Sequence, residues 1–581
     1  MNIYDKLNEI VPIKKYSLLY DLFLDSYKQE LDTDEDRKIF DLLKNITSLA
    51  AKISYQKVEF CPRLVMQGKS TFSVDDITED DYNLLRSLDI SEFPLNLKAR
   101  IADILWTQKR KYQFGMTAAE TYFELYNLWF SDDWHEALNM IKRTICISLQ
   151  IGKNDLCEKS YQSLRNHLVE INGADSGFLS LSLIHTLLEY SYDNTDELIG
   201  LLDTIIKSNF NNLSKTEKAY QLKAMCYKNQ KNPEQVAQVN ICLANYYVSY
   251  AESLLKGASQ DQLKSQYFFI KAISLYRNNG ESSKAEFTNK KLVEIQKIIP
   301  QLMKPINLEI DIKEINNRIE EYTKGLTFCE CISKIIFIVK YYKKDDIKKE
   351  VLNDLQTSPF LSMIKNTVVN EDGQSISVLP GLDLSNPEGN QELLDLHIHK
   401  KMHEYQEIAG STVLRCYISY IKNHFDIGKE DLSFLIQNNG IIPDGREGII
   451  HSAVLMALKE EYYEALHILA PQTENIFRNI AKAAGGLTET LENDETSKKK
   501  VLSSIFKLPE LKDCYDNDIL FLFEGLLNER VGANIRNEIA HGIMNPSSAN
   551  SGDKIYFICA FIKLLVLTSP QCQIILDECP N

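Results

Sequence analysis

The chain has 581 residues, 44% of them hydrophobic and 25% charged, and carries a net charge of −16. This is too long for one core, so two to four domains are expected. The acidic balance, with a sequence pI near 5.3, excludes a protein that coats nucleic acid broadly through a basic surface. It leaves room for an enzyme with one local cationic pocket.

The first residues, Met1-Asn2-Ile3-Tyr4-Asp5-Lys6, show no basic segment followed by an apolar run. No signal peptide is expected, and the expected compartment is the cytoplasm. Twelve cysteines are scattered without a CxxC pair, which predicts reduced thiols, no structural zinc and no cofactor.

Residues 1–300 repeat apolar positions at intervals of three and four, with few Pro or Gly, and predict helix after helix. Helical hairpins are expected to turn at Gly152-Lys153-Asn154, at Asn229 to Pro233 and at Asn278 to Glu281. Their uneven spacing predicts an irregular helical-repeat or bundle region. Pro300 to Pro305 marks a boundary. Residues 301–435 read as a middle helical region, interrupted at Val368 to Val378 by a short β-hairpin with an Asp-Gly turn.

Residues 436–581 predict a compact bundle, so the expected fold class is all-α. Helices are expected at Glu447 to Lys459, Tyr462 to Ala484, Asp516 to Glu529, Ile535 to Met544 and Lys554 to Leu567. A polar loop, Leu487 to Lys500, follows the Gly485-Gly486 stop. Asn534 stands where a helix cap is expected. The apolar stretch Ile555 to Leu567 contains Lys563 and is too short to span a bilayer, so it reads as a buried helix and no membrane partner is expected.

Within Asn534-Ile535-Arg536-Asn537-Glu538-Ile539-Ala540-His541-Gly542-Ile543, Arg536, Asn537 and His541 are expected on one edge of a helix start. Ile535, Ile539 and Ile543 should face the core. A permanent cation and a group that exchanges protons near neutral pH suit phosphate chemistry. A 2′-hydroxyl attack on a phosphodiester needs a base, an acid and a cation for the phosphorane. His541 can serve as base or acid, Arg536 can hold the phosphate, and Asn537 can orient either. One copy supplies one histidine, and a two-fold dimer supplies two. The alternative is internal pairing of Arg536 with Glu538 or Glu529, with His541 capping a helix end.

Two separated motifs carry a resemblance: Pro471-Gln472-Thr473-Glu474, and Gly532-Ala533-Asn534-Ile535-Arg536-Asn537-Glu538-Ile539-Ala540-His541-Gly542. Over about residues 440–570 the chain resembles an uncharacterised bacterial family of the HEPN superfamily, whose ribonuclease signature is Arg-x4–6-His. The resemblance implies a helical bundle that dimerises. It also implies a metal-independent endoribonuclease acting on RNA across a composite site, in anti-phage defence or as a toxin. Arg536, His541 and Asn537 are implied as catalytic, with Glu474 in support. The N-terminal helical region is then expected to sense a protein or phage-derived trigger.

Other constellations are weaker. His397-x-His399-x-x-x-His403 has two histidines at metal-ligand spacing but lies in a charged helix. His467 reads as a core or supporting histidine. Lys498-Lys499-Lys500 reads as a solvated cluster or an RNA phosphate contact. Walker, Gly-x-Ser-x-Gly and dinucleotide motifs are absent. The competing function is a non-catalytic helical-repeat protein that binds a partner or senses a nucleotide.

Overall fold

The computed structural model describes residues 2–11, 20–54, 57–66, 69–190, 194–256, 261–303, 309–358, 360, 364–369, 373–383, 386–491 and 496–578. The protein is all-α. The β-structure among these residues amounts to four two-stranded antiparallel sheets. The chain forms two compact units, Met1–Gln296 and Lys297–Asn581.

Helical hairpins build most of the first unit. Trp134–Ile151 is capped by Asp133, whose side chain accepts from the His135 and Glu136 amides, and ends on Gly152 at φ 74°. Asn154–Ile171 follows at once. The other turns lie where the sequence places them. Lys231 (φ 56°) separates the helix ending at Asn229 from the one starting at Pro233, and Gly280 (φ 80°) separates Gln262–Asn278 from Ser282–Gln296. The reading of residues 1–300 as helices alone needs correction. Ala50–Ser54 pairs with Lys57–Cys61, in the register Ala51↔Phe60, and Val65–Met66 pairs with Lys69–Ser70.

A buried ion pair ties three helices of this unit. From Trp134–Ile151, the Arg143 guanidinium reaches both carboxylate oxygens of Asp103 in Leu95–Lys109, with Nε at 2.8 Å from Oδ2. The Tyr122 hydroxyl, on Tyr112–Trp129, donates to Asp103 Oδ2 at 3.0 Å. Both charges are almost wholly removed from water, so each depends on the other.

Residues 301–435 and 436–581, read apart in sequence, contribute to one hydrophobic core. Ile332, Leu394 and Tyr417 belong to the same cluster as Leu466, Phe523 and Phe557. The hub is Gly552–Thr568, with nearly every side chain buried. Lys563 escapes burial of an unpaired charge by donating to the carbonyls of Ile336 (2.9 Å) and Val339 (2.7 Å). No single helix among the described residues is long and apolar enough to cross a membrane.

The hub meets Gln391–Ala409 through glycine. A Cβ on Gly410 would lie 1.7 Å from the Gly552 carbonyl oxygen. Only glycine permits this approach, and there the helix passes through a π-turn, Gly410–Leu414, before resuming as Arg415–His424. The expected middle hairpin forms between Asn366–Val369 and Ser375–Leu379, with Gly373 at φ 72°. Asp372 of its expected Asp-Gly turn lies outside the described residues.

Candidate functional site

Two helices and a turn assemble the site. Tyr462–Ala483 runs through Pro471 and carries Glu474 and Arg478 one turn apart. Asn517–Leu527 ends in a turn that leads to Asn534. There the backbone enters the left-handed region, at φ 50° and ψ 28°, and opens the short helix Ile535–Ala540.

The geometry changes several expectations for this helix. Asn534 does not cap it through its side chain. Its carbonyl accepts from the Asn537 and Glu538 amides, both at 3.1 Å, while its Oδ1 accepts from Asn537 Nδ2 at 2.7 Å. The helix has six residues rather than ten, because Gly542 turns left-handed at φ 67°. So short a helix offers little macrodipole to a phosphate. Ile535 is buried and Ile539 packs against the core. Ile543, beyond the break, is 63% exposed rather than core-facing.

Arg536 lies between two partners. Its Nε is 3.2 Å from Glu474 Oε2, and its Nη1 donates to Asn537 Oδ1 at 3.2 Å. Glu474 is shared, since its other oxygen accepts from Arg478 Nη2 at 2.7 Å. Pairing of Arg536 with Glu538 or Glu529 is not what forms. Glu474 binds two guanidiniums, one more cation than its own charge neutralises. Arg536 Nη2 makes no hydrogen bond among the described residues. His541 caps the C-terminal end of the short helix and is exposed. Its ring makes no hydrogen bond or ion pair among them either.

Lys554 braces this segment from beneath. It is buried, donates to the Ala533 carbonyl at 3.3 Å, and lies 3.5 Å from Glu538 and 2.9 Å from Asp553. Burial opposes its charge, but Asp553 and Glu538 outweigh that and raise its pKa. Burial also works against the Asp553 carboxylate. The His403 hydrogen bond, the Lys554 ammonium and Ser551 prevail and hold it well below the usual carboxylate range. Sequence reasoning missed Lys554 as a support, because the fold brings Ala533 and Glu538 to it from outside its own helix, at no helical spacing. It also gave no role to Arg478, although Glu474 and Arg478 stand at i,i+4 ion-pair spacing.

The remaining candidates separate. His397 Nε2 lies 2.8 Å from the Pro380 carbonyl. His399 is buried and stacks on Phe521 at 3.7 Å. His403 Nε2 is 3.1 Å from Asp553. The three histidines therefore do not converge on a metal. His403, Glu407 and Asp553 do bring ligand atoms within 4.8 Å of one another. However, Lys554 already supplies the cation, and the Glu407 carboxylate accepts the Gly552 and Asp553 amides at 3.1 and 2.8 Å. His467 is half-buried, with Nδ1 at 2.7 Å from the Tyr463 carbonyl. Lys498 and Lys499 are exposed on Ser497–Lys499, which pairs with Glu489–Leu491 in the segment expected as a loop. That hairpin is anchored to the site, because Arg478 Nη1 donates to the Thr488 carbonyl at 3.3 Å.

Residues 4–160 match the family model described as Domain of unknown function (DUF7380). No curated protein and no solved structure matches the chain. The DUF7380 match takes in the Arg143–Asp103 pair and the first two sheets, and it ends before the Glu474–Arg536 site.

Proposed function

We propose that the chain is a metal-independent endoribonuclease whose 436–581 section works as a HEPN-like bundle. Arg536 binds the scissile phosphate, His541 moves the proton, and Asn537 and Glu474 orient Arg536. The observation that supports this most is the Glu474–Arg536–Asn537 chain of contacts beside an exposed, unengaged His541. A guanidinium held at Nε and Nη1 keeps Nη2 for a phosphate oxygen, and an exposed imidazole can exchange protons with a substrate.

A second copy completes the chemistry in this reading, supplying the other histidine. Exposed apolar side chains beside the site fit such a face: Ile543 at 63%, and Leu487, Leu491 and Val501 at 74, 71 and 60% on and around the hairpin tied to Arg478. The test is RNA cleavage in EDTA by wild type, Arg536→Ala and His541→Ala, with product ends assayed for 2′,3′-cyclic phosphate. Cleavage by wild type alone is expected. Equal cleavage by all three proteins would defeat the proposal.

A second reading, a non-catalytic partner-binding protein, is favoured by one feature of the first unit. Leu263, Tyr267 and Ile270 form an exposed stripe on the helix Gln262–Asn278, at 62, 53 and 45% exposure. Absence of RNA cleavage, together with loss of a protein partner on Tyr267→Asp, would establish that reading instead.

A further inference from the structure

The second unit contains an open cavity of about 760 Å³ that the proposed nuclease chemistry does not use. Four carboxylates line it: Asp395, which pairs with Lys344, the exposed Glu392, and two more, Glu524 on Asn517–Leu527 and Glu529 in the turn that follows. Both are half-buried, and neither has a hydrogen bond or ion pair among the described residues. Burial raises the pKa of both; for Glu524 the nearby Glu529 charge adds to this, while Lys507 works against it on both. These groups therefore hold their charge at a cost that a cationic ligand would remove.

A second, independent observation lies on the same wall. His399 is only 4% exposed, and its Nδ1 has no hydrogen-bond partner. Gly525 leaves room for it, since a Cβ there would sit 2.7 Å from that nitrogen. Buried polar atoms without partners are rare, and the residue that carries this one is part of the cavity wall. Phe506, Leu520 and Phe521 add apolar wall. Lys344, which also lines it, is neutralised by Asp395 at 2.8 Å. Lys507 and Lys512 are exposed and are not ion-paired with either glutamate.

The size and the donor set select the ligand. A bare divalent ion needs several oxygen or nitrogen ligands converging within about 2–2.6 Å of it. Among the described residues the one converging group is His403, Glu407 and Asp553, which does not include these residues. A cavity this large, with several carboxylates and an aromatic wall, suits a longer molecule with ammonium groups on an apolar stem.

We infer that this cavity binds a linear alkyl polyamine, with Glu524 and Glu529 taking ammonium groups and Phe506 and Phe521 flanking the methylene stem. The inference does not depend on the nuclease reading. Its test is calorimetric titration of the full chain with spermidine, putrescine and butylamine. One saturable site per chain is expected, with butylamine weakest because it carries a single charge. The Glu524→Gln/Glu529→Gln double variant should bind spermidine at least about tenfold more weakly, the equivalent of about 1.4 kcal/mol. Lys507→Ala lies on an exposed side chain that does not threaten folding, and it should bind spermidine more tightly because a competing cation is gone. Absence of saturable binding by wild type, or unchanged affinity in both variants, would overturn the inference. So would displacement of spermidine by an equal concentration of magnesium.

Discussion

Glu474 Oε2 lies 3.2 Å from Arg536 Nε while its Oε1 lies 2.7 Å from Arg478 Nη2. One carboxylate thus fixes two cations, one on its own helix and one brought from sixty residues further along the chain. Arg536 is 36% exposed at its side chain, so the pair contributes little to stability, on the order of 1 kcal/mol. Its consequence is positional. Glu474→Gln keeps a hydrogen-bonding amide but removes the charge. We expect melting to be nearly unchanged and RNA cleavage to fall about tenfold, a loss of about 1.4 kcal/mol of transition-state stabilisation. A variant cleaving as fast as wild type would remove Glu474 from the machinery.

How far the site was legible in sequence follows from these contacts. The helix Tyr462–Ala483 and the hub Gly552–Thr568 are strongly periodic or continuously apolar, and both were readable. The nearness of Glu474 and Arg536 was suggested by resemblance, not by spacing, since a separation of 62 residues carries no periodic signal. Asn534 was misread as a side-chain cap because the residue type fits a cap equally well as a left-handed turn. Ile543 was misread because Gly542 ends the helix before its apolar repeat does. The hairpin at Ala50–Cys61 was passed over because five-residue strands offer little pattern against surrounding helices.

The glycine crossing makes a sharp steric test. Gly410→Ala would place a methyl 1.7 Å from the Gly552 carbonyl oxygen, a backbone atom that cannot turn aside. The helix Gln391–Ala409 must then move off the hub, carrying His403 and Glu407 away from Asp553. We expect a loss of stability of about 3 kcal/mol or more, at or above the usual overpacking range. Urea denaturation measures it, and a loss under about 0.5 kcal/mol, the scatter of surface substitutions, would contradict the crossing.

Asp103 tests the unit that holds the DUF7380 match. Asp103→Ala leaves Arg143 charged, buried and without its carboxylate. Removing one partner of such a pair costs about 3–5 kcal/mol. Replacing both, with Asp103→Leu and Arg143→Met, should recover most of that loss, because no charge is then stranded. If the double variant is no more stable than Asp103→Ala, the loss comes from packing around the site and not from the unpaired charge.

The buried His399 and the half-buried Glu524 give stability opposite dependences on pH. Burial holds the folded pKa of His399 down to about 3, against an ordinary 6.5; Lys344 adds to this and Asp395 opposes it. The unfolded chain takes up that proton first. The His399 contribution is therefore complete above about 6.5 and is lost as pH falls towards 3, at up to about 1.4 kcal/mol per pH unit. Glu524 behaves the other way. Its folded pKa is raised above 4.5 by burial and by the Glu529 and Asp395 charges, against the pull of Lys507 and Lys344. Its ionised form thus destabilises the fold at neutral pH, and the penalty is relieved as pH falls through the raised value. Glu524→Gln should accordingly raise the urea midpoint at pH 7 and leave it nearly unchanged at pH 4. His399→Gln should flatten the decline between pH 6.5 and 4 whatever it does to stability at pH 7. Urea denaturation at pH 7, 5.5 and 4 on all three proteins separates the two effects. A His399→Gln slope equal to that of wild type would mean that this ring is not the neutral, buried imidazole found beside Phe521.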